Sequence, residues 1–129
     1  MFKPLALVAT LCCTAVLAQS PATGAFPKEF PVEAQTPDAK ALAERLGDRI
    51  FTVKAPNGMG WRMDIKRSGY LFVDISNGWR DNGAWRTEDG KLCVEYRGSF
   101  PNGCNDVRLV GDSLLLKTRA GDIVTLVQQ

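Results

Sequence analysis

The chain has 129 residues, with 16 basic and 14 acidic side chains and no histidine. Without histidine, a Ser-His-Asp triad, a Cys-His pair and the common zinc site are excluded from a single copy. Charge is nearly balanced, and neither a basic run nor an aromatic-interleaved basic stripe is present, so nothing argues for nucleic acid or an anionic membrane surface as partner.

Met1-Phe2-Lys3-Pro4 carries one positive charge and leads into an apolar run, residues 5–17, that ends at Val16-Leu17-Ala18-Gln19-Ser20. This pattern predicts a signal peptide, residues 1–18. The run is too short to cross a bilayer comfortably, and Val16 and Ala18 suit cleavage before Gln19. Lipidation at Cys12 or Cys13 is the rival reading, but Ala9-Thr10-Leu11 does not place the expected small residue before the cysteine. Cleavage removes Lys3, leaving 15 of the 16 basic residues against 14 acidic ones, and keeps two cysteines, Cys93 and Cys104. The expectation is a soluble periplasmic or extracellular protein with no transmembrane segment after cleavage. There, an even pair of thiols most simply bonds to itself.

Residues 19–35 contain Pro21, Pro27 and Pro31 and no sustained period, so they read as an extended arm, with Phe26 and Phe30 available to pin it. Residues 36–129 read as one disulfide-bonded β domain. It starts with a short helix over residues 37–46: Thr36 as N-cap, Pro37 at the first helical position, an apolar stripe of Ala39, Leu42, Ala43 and Leu46, and Gly47 ending it in a left-handed conformation. Strand patterns follow at residues 49–55, 61–66, 70–76, 84–87, 91–97, 104–110, 113–119 and 122–127. Turns at Asn57-Gly58, Asp89-Gly90, Gly111-Asp112 and Ala120-Gly121 join neighbours as hairpins. The fold class is therefore mainly β, an antiparallel meander of eight strands curled into a small barrel or half-barrel to hide its edges, with one short N-terminal helix.

Alternation assigns faces. Trp61, Met63 and Ile65 oppose Arg62, Asp64 and Lys66; Leu92, Val94 and Tyr96 oppose Cys93, Glu95 and Arg97; Val107 and Leu109 oppose Cys104, Asp106 and Arg108. Both cysteines fall on the polar side of neighbouring strands, which supports a Cys93–Cys104 disulfide independently of compartment.

The glycines sit singly at turns, with neither dinucleotide nor Walker spacing, and no cofactor or metal site is expected. Asp64 with Asp74, or Glu88 with Glu95, are the carboxylate pairs an enzyme would need, but each lies on a polar strand face and reads as solvated surface charge. The most distinctive stretch runs from Asp74 to Arg86, where Trp79, Arg80, Trp85 and Arg86 bracket a polar loop. Trp85 reads as core, and Arg80 as a partner of Asp81 or Asp74. Residues 77–83 read as a connection longer than a hairpin needs. Trp79, Arg80 and Arg86 are therefore the candidate partner-binding residues.

At Gly83-x-Trp85, Leu92-Cys93-Val94 and Gly103-Cys104, followed by Gly111-Asp112 and a last hairpin, the chain resembles a family of small exported proteobacterial proteins of unknown function. The likeness covers residues 70–129 and implies no activity. A looser likeness is to small bacterial β-barrel inhibitors of secreted proteases, which place a Trp and a disulfide-bonded cysteine pair on neighbouring strands. The expected function is a non-enzymatic binding or envelope-associated module whose partner is a protein, glycan or small molecule. A second expectation is an inhibitor of a secreted hydrolase acting through the arm or the Trp79 loop. An enzyme working through surface carboxylates comes third.

Overall fold

The computed structural model describes residues 26–129; the segment read as a signal peptide, with Cys12 and Cys13, and residues 19–25 of the arm lie outside the described residues. Helix α1 spans Ala39–Leu46 and is followed by strands β1 Arg49–Lys54, β2 Gly60–Ile65, β3 Tyr70–Ile75, β4 Arg80–Glu88, β5 Lys91–Tyr96, β6 Gly103–Val110, β7 Ser113–Lys117 and β8 Ile123–Gln128. Each strand pairs antiparallel with the next, and β8 returns to β1, so the meander closes into a barrel.

Alternation drives closure. Phe51, Ile65, Leu71, Leu92, Val107 and Val124 are almost wholly buried in the barrel, while their neighbours in sequence are more exposed, apart from Cys93 and Ile123. An amphipathic set with period two buries only one face, and rolling the sheet buries that face against itself without leaving an edge.

Helix α1 plugs one end. Leu42 and Leu46 are 0% exposed, on the stripe the sequence predicts. The backbone around the helix start is tied to the β4–β5 turn. Asp89 accepts from the Ala39 N–H at 2.9 Å, the Gly90 N–H donates to the Pro37 carbonyl at 2.8 Å, and the Thr87 hydroxyl donates to the Ala39 carbonyl at 2.6 Å. The N-cap is Asp38, not Thr36: its carboxylate accepts from the Ala41 N–H at 2.7 Å. Pro37 is buried and its carbonyl already serves Gly90, so the chain turns helical two residues later than Thr36 would allow. At the other end Gly47 is extended (φ −64°, ψ 136°), and Asp48 takes the left-handed conformation (φ 59°). Asp48 tolerates it because its carboxylate accepts from the Arg67 N–H at 2.8 Å.

The described part of the arm is fastened to the barrel. Gln35 and Leu109 exchange two backbone hydrogen bonds at 2.8 Å, along the stretch of β6 that has left β5. The Ile123 N–H donates to the Pro27 carbonyl at 2.8 Å, Lys28 pairs with Asp122, and Phe26 packs against the core. Phe30 lies under the Arg108 guanidinium, 5.1 Å from its centre.

Strand ends match the sequence reading to within two residues, except for β4. That strand starts at Arg80 rather than at residue 84, so the long connection expected over residues 77–83 is instead a tight hairpin. The Gly78 N–H donates to the Ile75 carbonyl at 2.9 Å, and the Ile75 N–H to the Trp79 carbonyl at 2.8 Å, with Gly78 at φ 92°. The same pair of hydrogen bonds closes the turns at residues 55–59, 66–70 and 118–122, each with a left-handed glycine at its fourth position. The early start of β4 rests on specific partners rather than on propensity. Gly83, opposite Tyr96, is needed because a Cβ there would sit 2.1 Å from the Glu95 carbonyl oxygen.

Cys93 and Cys104 face each other across β5 and β6 and form the disulfide. No helix among the described residues is long and apolar enough to cross a membrane.

Candidate functional site

The unplugged end of the barrel carries the turns at residues 55–59, 76–79 and 118–122 and the longer loop at 97–102. The outer wall of β3 and β4, which runs from this end back to the 66–70 turn, is where the polar-out rule fails. Tyr70 and Phe72 alternate with buried Leu71 and Val73 and stay 44% and 45% exposed. Their cross-strand partners are Ala84 and Asn82, too small to cover an aromatic ring. Trp79 sits on the turn of the same hairpin, 58% exposed. The Arg97 guanidinium lies 5.4 Å from the centre of the Tyr70 ring, which leaves that cation stacked and still accessible.

Asp74 organises the cations. It pairs with Arg80, opposite it on β4, at 2.9 Å and with Arg62 on β2 at 3.8 Å. Two hollows flank this group. One, of about 580 Å³, includes Phe72, Asp74, Arg80, Asn82 and Arg97 in its lining. The other, of about 770 Å³, runs across the outer side of β2, β1 and β8, with Lys54, Arg62, Thr125 and Val127 in its walls and Phe26 among them. Arg62 and Arg80 pair with Asp74, Asp64 opposite Phe72 is taken by Lys66, and Lys54 and Arg97 line the two hollows, so cations stand beside the aromatic rings among the carboxylates Asp64, Asp74 and Glu95.

The loop at 97–102 is held by a residue the sequence reading assigned only as a possible partner of Arg80. Asp81 points inward from β4, is 9% exposed, and accepts from the N–H groups of Gly98 (2.9 Å), Phe100 (3.0 Å) and Asn82 (2.8 Å). Burial pushes its carboxyl upward, but the three backbone donors outweigh it and hold the group below its ordinary value. Tyr96, whose ring meets Phe100 edge-on at 5.4 Å, is shifted the other way, by burial and by the nearby Asp81 charge. Arg97 is carried by this loop, so the latch also positions the cation over Tyr70.

The structure therefore brings Trp79 and Arg80 to one hairpin, although the loop that first marked them is short. Arg86 does not join them. It lies six residues farther along β4, about 20 Å away at the usual strand rise, pairs with Glu88 at 3.2 Å, and stands opposite Cys93. Trp85 is half-buried against the core, its ring N–H donating to the Lys66 carbonyl at 2.7 Å. Sequence reasoning missed Tyr70, Phe72 and Arg97 as site residues. The signal was present: Tyr70 and Phe72 occupy the outward positions of a strand whose inward positions are Leu71 and Val73.

Three of the four carboxylates considered from sequence are engaged in ion pairs. Asp64 pairs with Lys66 at 3.0 Å and faces Phe72 across the strands, Asp74 serves the two arginines, and Glu88 pairs with Arg86. Glu88 also lies close to both cysteine sulfurs, but these are joined to each other and offer no thiolate. No family model matches the chain, and no curated protein matches it.

Proposed function

We propose that this is an exported, non-enzymatic binding module that holds an acidic protein surface against the outer wall of β3 and β4. One observation carries the reading: Tyr70 and Phe72 stay exposed on a wall where barrel architecture requires no apolar side chain, with Arg97 over Tyr70 and Arg80 lining the same hollow as Phe72, while Trp79 is exposed on the turn that ends the hairpin. Aromatic rings with arginine are the composition of interface anchors, because rings give contact area at low entropy cost and guanidinium planes pair with carboxylates in a fixed geometry. The hollows on either side of Asp74 give a partner relief to fill. The disulfide, the apolar leader and the cysteine parity support an oxidising compartment.

The test is capture from an exported fraction by wild-type protein and by a Phe72→Ala, Arg80→Ala double variant. A protein retained by the wild type, lost from the variant, and released by moderate salt is the expected result. Equal retention by both would remove this wall from consideration.

A further inference from the structure

A second cavity lies inside the barrel, beside the place where β6 parts from β7. Strand β6 changes partners along its length: residues 103–106 pair with β5, and Val107–Val110 pair with β7. Toward the unplugged end β6 and β7 therefore separate. Among the described residues the one hydrogen bond across the gap is from the Asn105 side chain to the Lys117 carbonyl, 3.1 Å.

Behind the gap is a chamber of about 220 Å³ within the barrel, its walls apolar and aromatic, among them Trp61, Ile75, Val94, Tyr96 and Leu116. Apart from the Tyr96 phenol and the Trp61 ring, its polar lining is Asn105, Thr118 and Arg119. The same three residues, with Tyr96 and Phe100, also line an outer vestibule of about 480 Å³. Two cations stand there, Lys117 and Arg119, and no acidic group among the described residues pairs with either; Asp106, in the same vestibule, is 3.9 Å from Lys91. An apolar chamber thus opens into a cationic vestibule, with a small set of polar groups at the junction.

That gradient matches a single chemistry. We propose that the chamber and vestibule bind a small amphiphilic monocarboxylate, its apolar body inside the barrel and its carboxylate at Arg119 and Lys117. Size limits the body. A cavity of about 150 Å³ accommodates benzene, so about 220 Å³ accommodates roughly nine carbons, a medium alkyl chain or a ring with a short tail. A cation would meet Lys117 and Arg119, and a neutral polar molecule would gain nothing from the chamber walls. The site is separate from the outer wall of β3 and β4, so it stands or falls independently of the proposed protein partner.

Titration of the intact domain with octanoate, followed by calorimetry and amide chemical shifts, tests the assignment, with octyltrimethylammonium as the opposite-charge control. Octanoate should bind saturably and move the amides of Tyr96, Phe100, Asn105 and Thr118. The cation should bind at least tenfold more weakly, a factor worth about 1.4 kcal/mol. Arg119 is exposed, so Arg119→Glu should fold normally and weaken octanoate at least tenfold. Ile75→Trp should fill the chamber and abolish binding; if it fails to fold, the shift map and Arg119→Glu still decide. Absence of saturable binding, equal binding of the cation, shifts confined to Tyr70 and Phe72, or an Arg119→Glu variant that binds octanoate as tightly as the wild type would each overturn the proposal.

Discussion

Asp81 shows how one side chain can set the shape of the open end. Three backbone donors converge on a nearly buried carboxylate, two of them from the loop that carries Arg97. Replacing it by Ala strands the Gly98 and Phe100 N–H groups, so thermal melting of Asp81→Ala should occur at a lower temperature than wild type, with hydrogen exchange accelerated first across residues 97–102. The pH dependence has a definite sign. Because the folded-state value lies below the ordinary 3.8, the carboxylate contributes stability that is complete above 3.8 and lost as pH falls through the lower folded value. The gap between wild type and Asp81→Asn should accordingly narrow over that acid range, and a gap that widened on acidification would contradict the latch. The two hairpin tryptophans make a paired contrast. Trp79→Ala should leave the melting temperature nearly unchanged, whereas Trp85→Ala, removing a half-buried ring and its bond to the Lys66 carbonyl, should cost about 3 kcal/mol.

Among the elements, the strands with clean alternation were readable from sequence, because period two and a turn residue at each end leave little choice. The helix stripe was readable for the same reason, with Leu42 and Leu46 four residues apart on one face. What failed depended on partners distant in sequence. The N-cap moved to Asp38 because Pro37 is tied to Gly90, and β4 began early because Arg80, Asp81 and Gly83 each answer to residues on β3, β5 or the following loop. Asn77-Gly78 was a turn of the same kind as Asn57-Gly58, yet the polar run after it hid the strand. The candidate site was half legible for that reason: Trp79 and Arg80 were found by composition, while Tyr70, Phe72 and Arg97 needed the register. The disulfide needed only parity and faces. It ties β5 to β6 where β6 shares only four paired positions with β5, so Cys93→Ala should lower stability by about 2–5 kcal/mol in chemical denaturation, and the native protein should show no free thiol.

For the whole molecule, the barrel is an asymmetric scaffold, with a helix and the arm fastened around one part of it and an aromatic, arginine-bearing wall that runs back from the open end. The proposed export has its own check: intact-mass measurement should give a chain beginning at Gln19 without acyl mass, and a lipidated start at Cys12 or Cys13 would put the domain on a membrane instead. The central claim is that the outer wall of β3 and β4 is the partner surface. Site-specific photo-crosslinking in the producing cell tests it most directly, with the reactive residue placed at Phe72 or at Trp79 and, as control, at Glu44 on the exposed side of α1. A discrete protein adduct from positions 72 and 79, absent from position 44, is the predicted result. No adduct from either wall position, or the same adduct from position 44, would contradict it.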